Sequence, residues 1–243
     1  MIFFSGPYWE YYLMGIILIP GIILSIYAQA KMHSTFNKYV KITSMSRITG
    51  AEFARKMLNE AELSHIKIIH TKGTLTDYYN HSKKTIALSD EVYESTSVVS
   101  LGIAAHEIGH ALQYKEHYIP VKLRGILVPV TNLVSTILWP LVFIGLILGF
   151  GSTTGGSLGT IFVWSGVIFF GLSVLFSLIT LPVELDASRR AKRLLIESGL
   201  VDEMESEGAT KVLNAAALTY VAALIIAILN LIRFLLVVNN RRD

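Results

Sequence analysis

One pentapeptide of this sequence has the residue types and spacing of a metal-dependent hydrolytic site: His106-Glu107-Ile108-Gly109-His110. Two histidines four residues apart project from the same face of a helix, so their imidazole nitrogens can bind one metal ion. Glu107 projects beside them, where its carboxylate can take a proton from a water that the metal activates and deliver it to a leaving amine. An amide of the same shape cannot move that proton. The pattern predicts zinc-dependent peptide hydrolysis, with His106 and His110 as ligands and Glu107 as the general base.

A catalytic zinc ion needs a third protein ligand, and the sequence offers three candidates. Glu184 follows Pro182, which suits the start of a helix, so Glu184 would occupy the first turn of that helix. Glu116 and His117 lie nearer in sequence, but beyond the useful turn of the helix that carries the pentapeptide. We predict Glu184 as the third ligand of one zinc ion per chain. Glu116 and His117 are the alternative ligands, and a solvated acid favoured by the helix dipole is the other interpretation of Glu184.

Two helices are expected to frame the pentapeptide. Ser95-Thr-Ser97 supplies N-cap candidates for a helix from about 98 to 114, and Pro120 bars its continuation. Thr49-Gly-Ala-Glu52 has the form of a capping box, and apolar residues follow it at helical spacing. The segment 50–63 is therefore predicted to be an amphipathic helix.

A β-hairpin or small sheet is expected between these helices. A strand-like run begins at 66–68, and after Tyr78-Tyr79 the polar turn Asn80-His-Ser-Lys-Lys84 leads into a second run at 85–88. We predict that this last run is an edge strand that pairs with the backbone of an extended substrate. Its residues are Thr85, Ile86, Ala87 and Leu88.

Five further side chains are candidates for contacting the substrate or its transition state. A tyrosine, histidine or arginine beside the metal could donate a hydrogen bond to the developing oxyanion. The alternative for the first four is a role in turns and packing, and for the arginine a role as an anchor at lipid headgroups. The five are Asp77, Tyr78, Tyr79, His81 and Arg124.

The remaining sequence is dominated by apolar blocks. Of the 243 residues 52% are hydrophobic and only 16% are charged, and the apolar residues collect in four blocks of the length that crosses a bilayer. This clustering excludes an ordinary soluble globule. The predicted transmembrane helices are 8–28, 126–150, 158–181 and 215–238, with a tight hairpin at 151–157 between the second and third.

The basic residues predict an orientation. Of the 21 Lys and Arg residues, 18 lie in the segments 31–125 and 182–214, and basic residues that flank spans are retained in the cytoplasm. We expect both termini outside, with a catalytic region (31–125) and a helical segment carrying the third ligand (182–214) on the cytoplasmic side.

Composition also limits the partners. The absence of cysteine excludes a disulfide framework, a thiolate metal site and a cysteine nucleophile. The formal net charge of +3 is too small to indicate a nucleic-acid partner. The expected partners are the lipid bilayer and a polypeptide substrate from a membrane or membrane-proximal protein, and the sequence does not indicate an oligomeric state.

Three stretches carry a family resemblance: Leu75-Thr-Asp-Tyr-Tyr79, Ala104-Ala-His-Glu-Ile-Gly-His-Ala-Leu-Gln113 and Leu181-Pro-Val-Glu-Leu-Asp-Ala-Ser-Arg-Arg190. Over nearly the whole chain the sequence resembles the YugP-like neutral zinc metallopeptidases, which are bacterial membrane proteins. The layout is also similar to that of gluzincin membrane proteases such as HtpX and the CAAX prenyl protease. The resemblance implies that His106, His110 and Glu184 bind zinc and that Glu107 is the base, in a multi-pass protein of the bacterial cytoplasmic membrane.

The sequence departs from the HtpX pattern at one point. HtpX-type enzymes follow the liganding Glu with Ala-Asp, and that Asp is expected to orient a ligand histidine. Here the corresponding pair is Ala187-Ser188, and Asp186 is displaced by two residues. The residue that orients each imidazole is therefore left open.

The expected fold is a mainly α membrane protein with four transmembrane helices and a cytoplasmic, zincin-like α+β catalytic region that contains a small β-hairpin or sheet. The expected function is that of an integral-membrane zinc endopeptidase. One alternative is a catalytically silent membrane scaffold or partner-binding protein with a structural zinc, which would not need Glu107. A small-solute transporter is disfavoured because the four apolar blocks contain almost no ionisable residues.

Overall fold

The computed structural model describes residues 15–149 and 157–239. The described chain is mostly helical and contains one three-stranded sheet, as the sequence predicted. The helices are α1 (Ile19–Tyr39), α2 (Gly50–Glu60), α3 (Asp90–Tyr93), α4 (Val98–Lys115), α5 (Ile119–Gly149), α6 (Ser157–Glu197) and α7 (Glu203–Asn239), and the strands are β1 (Lys67–His70), β2 (Tyr78–Asn80) and β3 (Thr85–Leu88).

The chain divides into two compact units. Of the described residues, one unit contains 15–26, 123–149, 157–180 and 221–239, and the other contains 27–122 and 181–220. The second unit, here called the site unit, includes both the pentapeptide and Glu184. Its apolar core joins α2, β3 and α4 to parts of α6 and α7, with these large side chains buried: Phe53, Leu58, Ile86, Leu101, Ile108 and Leu195.

Among the described residues, two helices rather than the expected four are long and apolar enough to cross a membrane. They are Trp164–Glu197 and Glu203–Leu236, and they contain most of the predicted spans 158–181 and 215–238. Each is a single helix that also carries a polar stretch, so the apolar block and the adjoining polar segment form one element.

The other two predicted spans are not among these candidates. Residues 8–14 of the span 8–28 lie outside the described residues, and α1 covers its second half and then continues to Tyr39 past Lys31 and Lys38. The span 126–150 is helical as far as Gly149, within α5. The predicted hairpin at 151–157 lies outside the described residues except for residue 157.

Both helix starts predicted in the site unit are confirmed. The Thr49 hydroxyl accepts from the Glu52 amide at 3.2 Å, and the Glu52 carboxylate accepts from the Thr49 amide at 2.8 Å, which is a complete capping box. The Ser97 hydroxyl accepts from the Ser100 amide at 3.1 Å and caps α4. The α4 helix ends before Pro120 in a turn in which the Tyr118 amide donates to the Gln113 carbonyl.

The sheet has the strand order β1-β3-β2. β1 pairs with β3 in parallel and β2 pairs with β3 antiparallel, with Tyr79 opposite Ile86. The prediction that Thr85, Ile86, Ala87 and Leu88 form an edge strand is therefore wrong. All four residues are buried and the strand is paired on both sides, because two short strands flank it instead of one. The strand with a free side next to the pentapeptide helix is β2.

The predicted helix start at Pro182 is also corrected. Pro182 lies inside α6, which runs without a break from Ser157 to Glu197. Glu184 is therefore in a helix interior and not in a first turn, so the helix dipole does not account for its position. The predicted stop is confirmed, because Gly199 follows the helix with a φ of +63°.

The predicted segment 182–214 contains the start of α7 as well as the end of α6. Asp202 and Glu205 form a capping box, in which the Asp202 carboxylate accepts from the Glu205 amide at 2.7 Å and the Glu205 carboxylate accepts from the Asp202 amide at 3.0 Å. Glu205 is 8% exposed and also accepts from the Met45 amide at 2.6 Å and the Ser44 hydroxyl at 3.4 Å. One carboxylate thus joins the start of α7 to the loop that precedes α2.

We predict that Glu205→Ala destabilises the site unit by about 2 kcal/mol, because it leaves partly buried donors without an acceptor. For a chain of this size that corresponds to a fall of roughly 4–8 °C in the melting temperature. Thermal unfolding of the purified protein measures this shift. Glu203→Ala removes an exposed acid from the same turn and is the matched control, so equal shifts in the two variants would contradict the assignment.

Candidate metal centre

Three side chains from two helices converge in the site unit. His106 and His110 project from α4, and Glu184 projects from α6, with their ligand atoms all within 4.8 Å of one another. The Glu184 Oε2 atom lies 3.3 Å from His106 Nε2 and 3.6 Å from His110 Nε2. The structure therefore brings together the three residues predicted as ligands.

The donor atoms and their separations fit a zinc ion. Tetrahedral zinc with bonds of about 2.0–2.1 Å places neighbouring ligand atoms about 3.4 Å apart. The two distances from Glu184 lie close to that value. Two imidazole nitrogens and one carboxylate oxygen are also a ligand set that zinc takes in catalytic sites, where a fourth position stays open.

Glu107 lies beside this group in a buried environment. It is 6% exposed, and burial raises its pKa to about 7. The neighbouring His106 and a hydrogen bond from the Tyr79 backbone amide favour the ionised form, whereas the charges of Glu184 and Asp77 oppose it. A carboxyl group with a pKa near neutrality can both accept and release a proton.

Each histidine has a hydrogen-bond partner on the ring nitrogen that faces away from Glu184. The Ser188 hydroxyl lies 3.3 Å from His106 Nδ1, and the Gln113 Oε1 atom lies 3.1 Å from His110 Nδ1. Neither of these orienting residues is predicted by the sequence analysis. Gln113 could have been found from its position three residues after His110, which places both on one helical face.

The two alternative ligands are not part of this group in the described chain. The Glu116 carboxylate accepts from Arg190 Nη1 at 2.6 Å. His117 follows the end of α4 with a φ of +58° and helps to turn the chain. Both residues therefore have structural roles at the C-terminal end of α4.

Three of the side chains predicted to contact the substrate lie in different parts of the structure. The Asp77 carboxylate accepts from the amide and the hydroxyl of Ser89, at 2.7 and 2.9 Å, and so ties the loop before β2 to the start of α3. Tyr78 lies in β2 with 47% of its surface exposed. Arg124 belongs to the other compact unit.

Tyr79 and His81 join Tyr114, which the sequence did not indicate, in an aromatic cluster. The His81 ring stacks on the Tyr114 ring at 3.8 Å, and the Tyr79 hydroxyl lies 3.4 Å from His81 Nδ1. Burial raises the pKa of Tyr79 to about 12, and burial together with Lys84 lowers the pKa of His81. The cluster links β2 to α4 one turn beyond His110.

The free edge of β2 faces Glu107. In an antiparallel pair, alternate residues direct their amide and carbonyl groups away from the partner strand. The Tyr79 amide donates to Glu107, which places the backbone groups of Tyr79 on the side of β2 away from β3. Because the Tyr79 amide is bonded to Glu107, the Tyr79 carbonyl is the backbone group next to the buried carboxylate that can pair with an extended peptide.

The convergence of the ligands depends on a close approach of two helices. A Cβ atom at Gly109 would lie 2.6 Å from the carbonyl oxygen of Ala187, so only glycine allows this separation of α4 and α6. Gly109 lies one residue before His110, and Ala187 lies three residues after Glu184. The glycine of the pentapeptide thus sets the distance between the ligand-bearing helices.

We predict that Gly109→Ala costs about 1–3 kcal/mol, because the added methyl group must push the two backbones apart. The matched control is Gly171→Ala in α6, where a Cβ atom meets nothing within 4 Å and the gain in helix propensity is at most about 1 kcal/mol. Melting temperatures of the two variants measure the difference. An unchanged melting temperature in Gly109→Ala would contradict the close approach.

Comparisons with known proteins show the family of the chain. The chain is 41% identical over 226 residues to "Putative membrane protease YugP" of Bacillus subtilis (strain 168), an alignment that covers 93% of this chain and 96% of that protein. No solved structure gives a significant match. The model of one family matches residues 14–239, which is nearly all of the chain. On this evidence the chain belongs to the family described as "Putative neutral zinc metallopeptidase".

Proposed function

We propose that this protein is an integral-membrane zinc endopeptidase of the gluzincin type. The observation that carries the proposal is the convergence of His106, His110 and Glu184 with Glu107 buried beside them. Family membership supports a zinc peptidase, and the name of the Bacillus relative supports a membrane location.

In this proposal one zinc ion per chain is held by His106 Nε2, His110 Nε2 and a Glu184 carboxylate oxygen. When bound, zinc supplies Lewis acidity, which lowers the pKa of a water molecule and polarises a peptide carbonyl. Glu116 and His117 are excluded from this role because both have structural roles at the end of α4.

Glu107 is the proton carrier. Its buried carboxylate takes the proton of the attacking water and delivers it to the leaving amine, and both transfers suit a group whose pKa is about 7. A purely structural zinc site does not require a buried carboxyl group that transfers protons. The burial of Glu107 next to the ligands therefore favours the peptidase over the silent scaffold.

The substrate is an extended polypeptide that adds to the edge of β2. The Tyr79 carbonyl faces that edge and can accept a main-chain hydrogen bond from an extended peptide. Main-chain pairing is independent of side chains, so sequence preference comes from the surrounding side chains. Tyr78 is exposed in the same strand and is a candidate for such a contact.

The protein is a multi-pass protein of the bacterial cytoplasmic membrane, with the site unit on the cytoplasmic side and both termini outside. Two lines support this: the two long apolar helices, and the concentration of 18 of the 21 basic residues in 31–125 and 182–214. Because Glu184 follows an apolar block within one helix, the site would lie close to the membrane and favour membrane or membrane-proximal substrates.

We predict that Glu107→Gln lowers kcat for a denatured protein substrate by at least about 100-fold, because an amide cannot carry the proton. The variant should still contain one zinc per chain, since Glu107 is not a ligand. Activity and zinc content are measured on the same preparation. Full activity in a zinc-loaded Glu107→Gln protein would contradict the proposal.

We predict that Glu184→Ala loses zinc, because a catalytic site with two imidazole ligands alone binds the ion weakly. Glu116→Ala, which removes the alternative ligand, should retain it. The zinc content per chain after dialysis is measured for both variants. Retention in Glu184→Ala together with loss in Glu116→Ala would reverse the ligand assignment.

We predict that Lys83→Cys, in the exposed turn before β3, reacts with a membrane-impermeant maleimide only after the cells are permeabilised. The chain contains no cysteine, so the label has a single target. Asp243→Cys at the C-terminus is the control and should react in intact cells. Labelling of Lys83→Cys in intact cells would contradict the cytoplasmic placement.

A further inference from the structure

We propose that Gln113 is a positioning residue that fixes the tautomer of His110 and couples the ligands of α4 to the ligand of α6. This inference rests on the proposed zinc site. Gln113 has no exposed surface, and its side chain touches three groups: the His110 ring, the Val183 carbonyl and the Asp186 carboxylate. No water is needed to complete its hydrogen bonds.

The orientation of the Gln113 amide follows from its neighbours. One end of the amide lies 2.7 Å from the Val183 carbonyl oxygen and 3.0 Å from Asp186 Oδ2. The carbonyl accepts only, and the carboxylate also accepts because Arg190 Nε donates to it at 2.6 Å. That end must therefore be the NH₂ group, and the amide oxygen must face His110.

This orientation determines which nitrogen of His110 carries the proton. The amide oxygen of Gln113 can only accept, and it lies 3.1 Å from His110 Nδ1, so Nδ1 must be the protonated nitrogen. In a neutral ring, Nε2 is then left with its lone pair directed to the ligand group. Gln113 therefore favours the tautomer that a metal needs.

Gln113 also ties two ligands together. Val183 immediately precedes Glu184, so the bond from Gln113 to the Val183 carbonyl fixes the α6 backbone next to the third ligand. The same side chain holds the His110 ring. A single buried amide therefore holds His110 and Glu184 in position relative to each other.

Gln113 is in turn supported by a chain of charges that ends at the surface. Arg190 donates to Asp186 through Nε and to Glu116 through Nη1, both at 2.6 Å. The Glu116 side chain is 55% exposed, whereas Asp186 and Arg190 are mostly covered. The negative charge on Asp186 polarises the Gln113 amide and strengthens its oxygen as an acceptor for His110.

His106 is held less tightly than His110. Its partner is the Ser188 hydroxyl at 3.3 Å, and a hydroxyl can donate or accept, so it imposes no tautomer. Ser188 is therefore the matched comparison for Gln113: both partner the Nδ1 atom of a ligand histidine, but Gln113 alone has a fixed orientation.

The test is the zinc affinity of the full-length purified protein, measured by competition with a chromophoric chelator. Loss of an orienting partner typically weakens metal binding about 10–100-fold. We expect a loss of that size in Gln113→Leu, a smaller loss in Ser188→Ala, and none in Gln29→Leu, which makes the same substitution at an exposed position of α1. Wild-type affinity in Gln113→Leu would overturn the inference and leave the proposed function intact. A wild-type protein that binds no zinc would instead refute the proposed function.

Two further measurements decide the question if Gln113→Leu does not fold. In metal-free wild-type protein labelled with ¹⁵N-histidine, the His110 signal should show a proton on Nδ1. A ring in which Nδ1 carries no proton would overturn the inference. The double variant Gln113→Glu/Asp186→Asn exchanges acid and amide and keeps an acceptor facing His110, so it should bind zinc more tightly than Gln113→Glu alone. Equal zinc affinities in the double variant and in Gln113→Glu would also contradict the inference.

Discussion

The site depends on one packing constraint: α4 and α6 must approach closely enough for one oxygen atom to lie within 3.6 Å of two imidazole nitrogens. Gly109 permits that approach, because any side chain would overlap the Ala187 carbonyl. The glycine lies between the two histidines that it helps to place, so the pentapeptide defines both the ligands and the helix contact. The buried core of the site unit then holds the two helices against α2, β3 and α7.

A second constraint is electrostatic. Glu107 and Glu184 are both nearly buried, and removing a carboxylate from water is costly unless opposite charge or hydrogen bonds replace the solvent. Glu107 accepts from the Tyr79 amide, and Glu184 lies within 3.6 Å of the two imidazole nitrogens that would share a metal ion with it. A bound divalent cation would favour the ionised form of both. Such a concentration of buried acids is expected where the charge is used and not where it only stabilises the fold.

Sequence reasoning found the local features and missed the long-range ones. His106, Glu107 and His110 follow from spacing on one helix, and Thr49 and Ser97 follow from capping rules that act within a turn. The central position of β3 could not be predicted, because it depends on the pairing of β1 across a loop. The helix continues through Pro182 because the continuity of a long helix outweighs the local preference of proline for a first turn, and sequence spacing alone does not show which of the two prevails. The spacing of Gln113 and His110 on one helical face indicates their contact, but the bonds of Gln113 to Val183 and Asp186 could not be predicted because these partners lie about 70 residues away.

The central claim is that His106, His110 and Glu184 hold one zinc ion. Zinc-edge X-ray absorption on the purified wild-type protein tests it most directly, since this method reports the ligand atoms of the bound ion. We predict one zinc per chain, a ligand shell of nitrogen and oxygen at about 2.0–2.2 Å, and scattering from two imidazole rings. A protein that carries no stoichiometric zinc, or a shell without two imidazoles, would contradict the account.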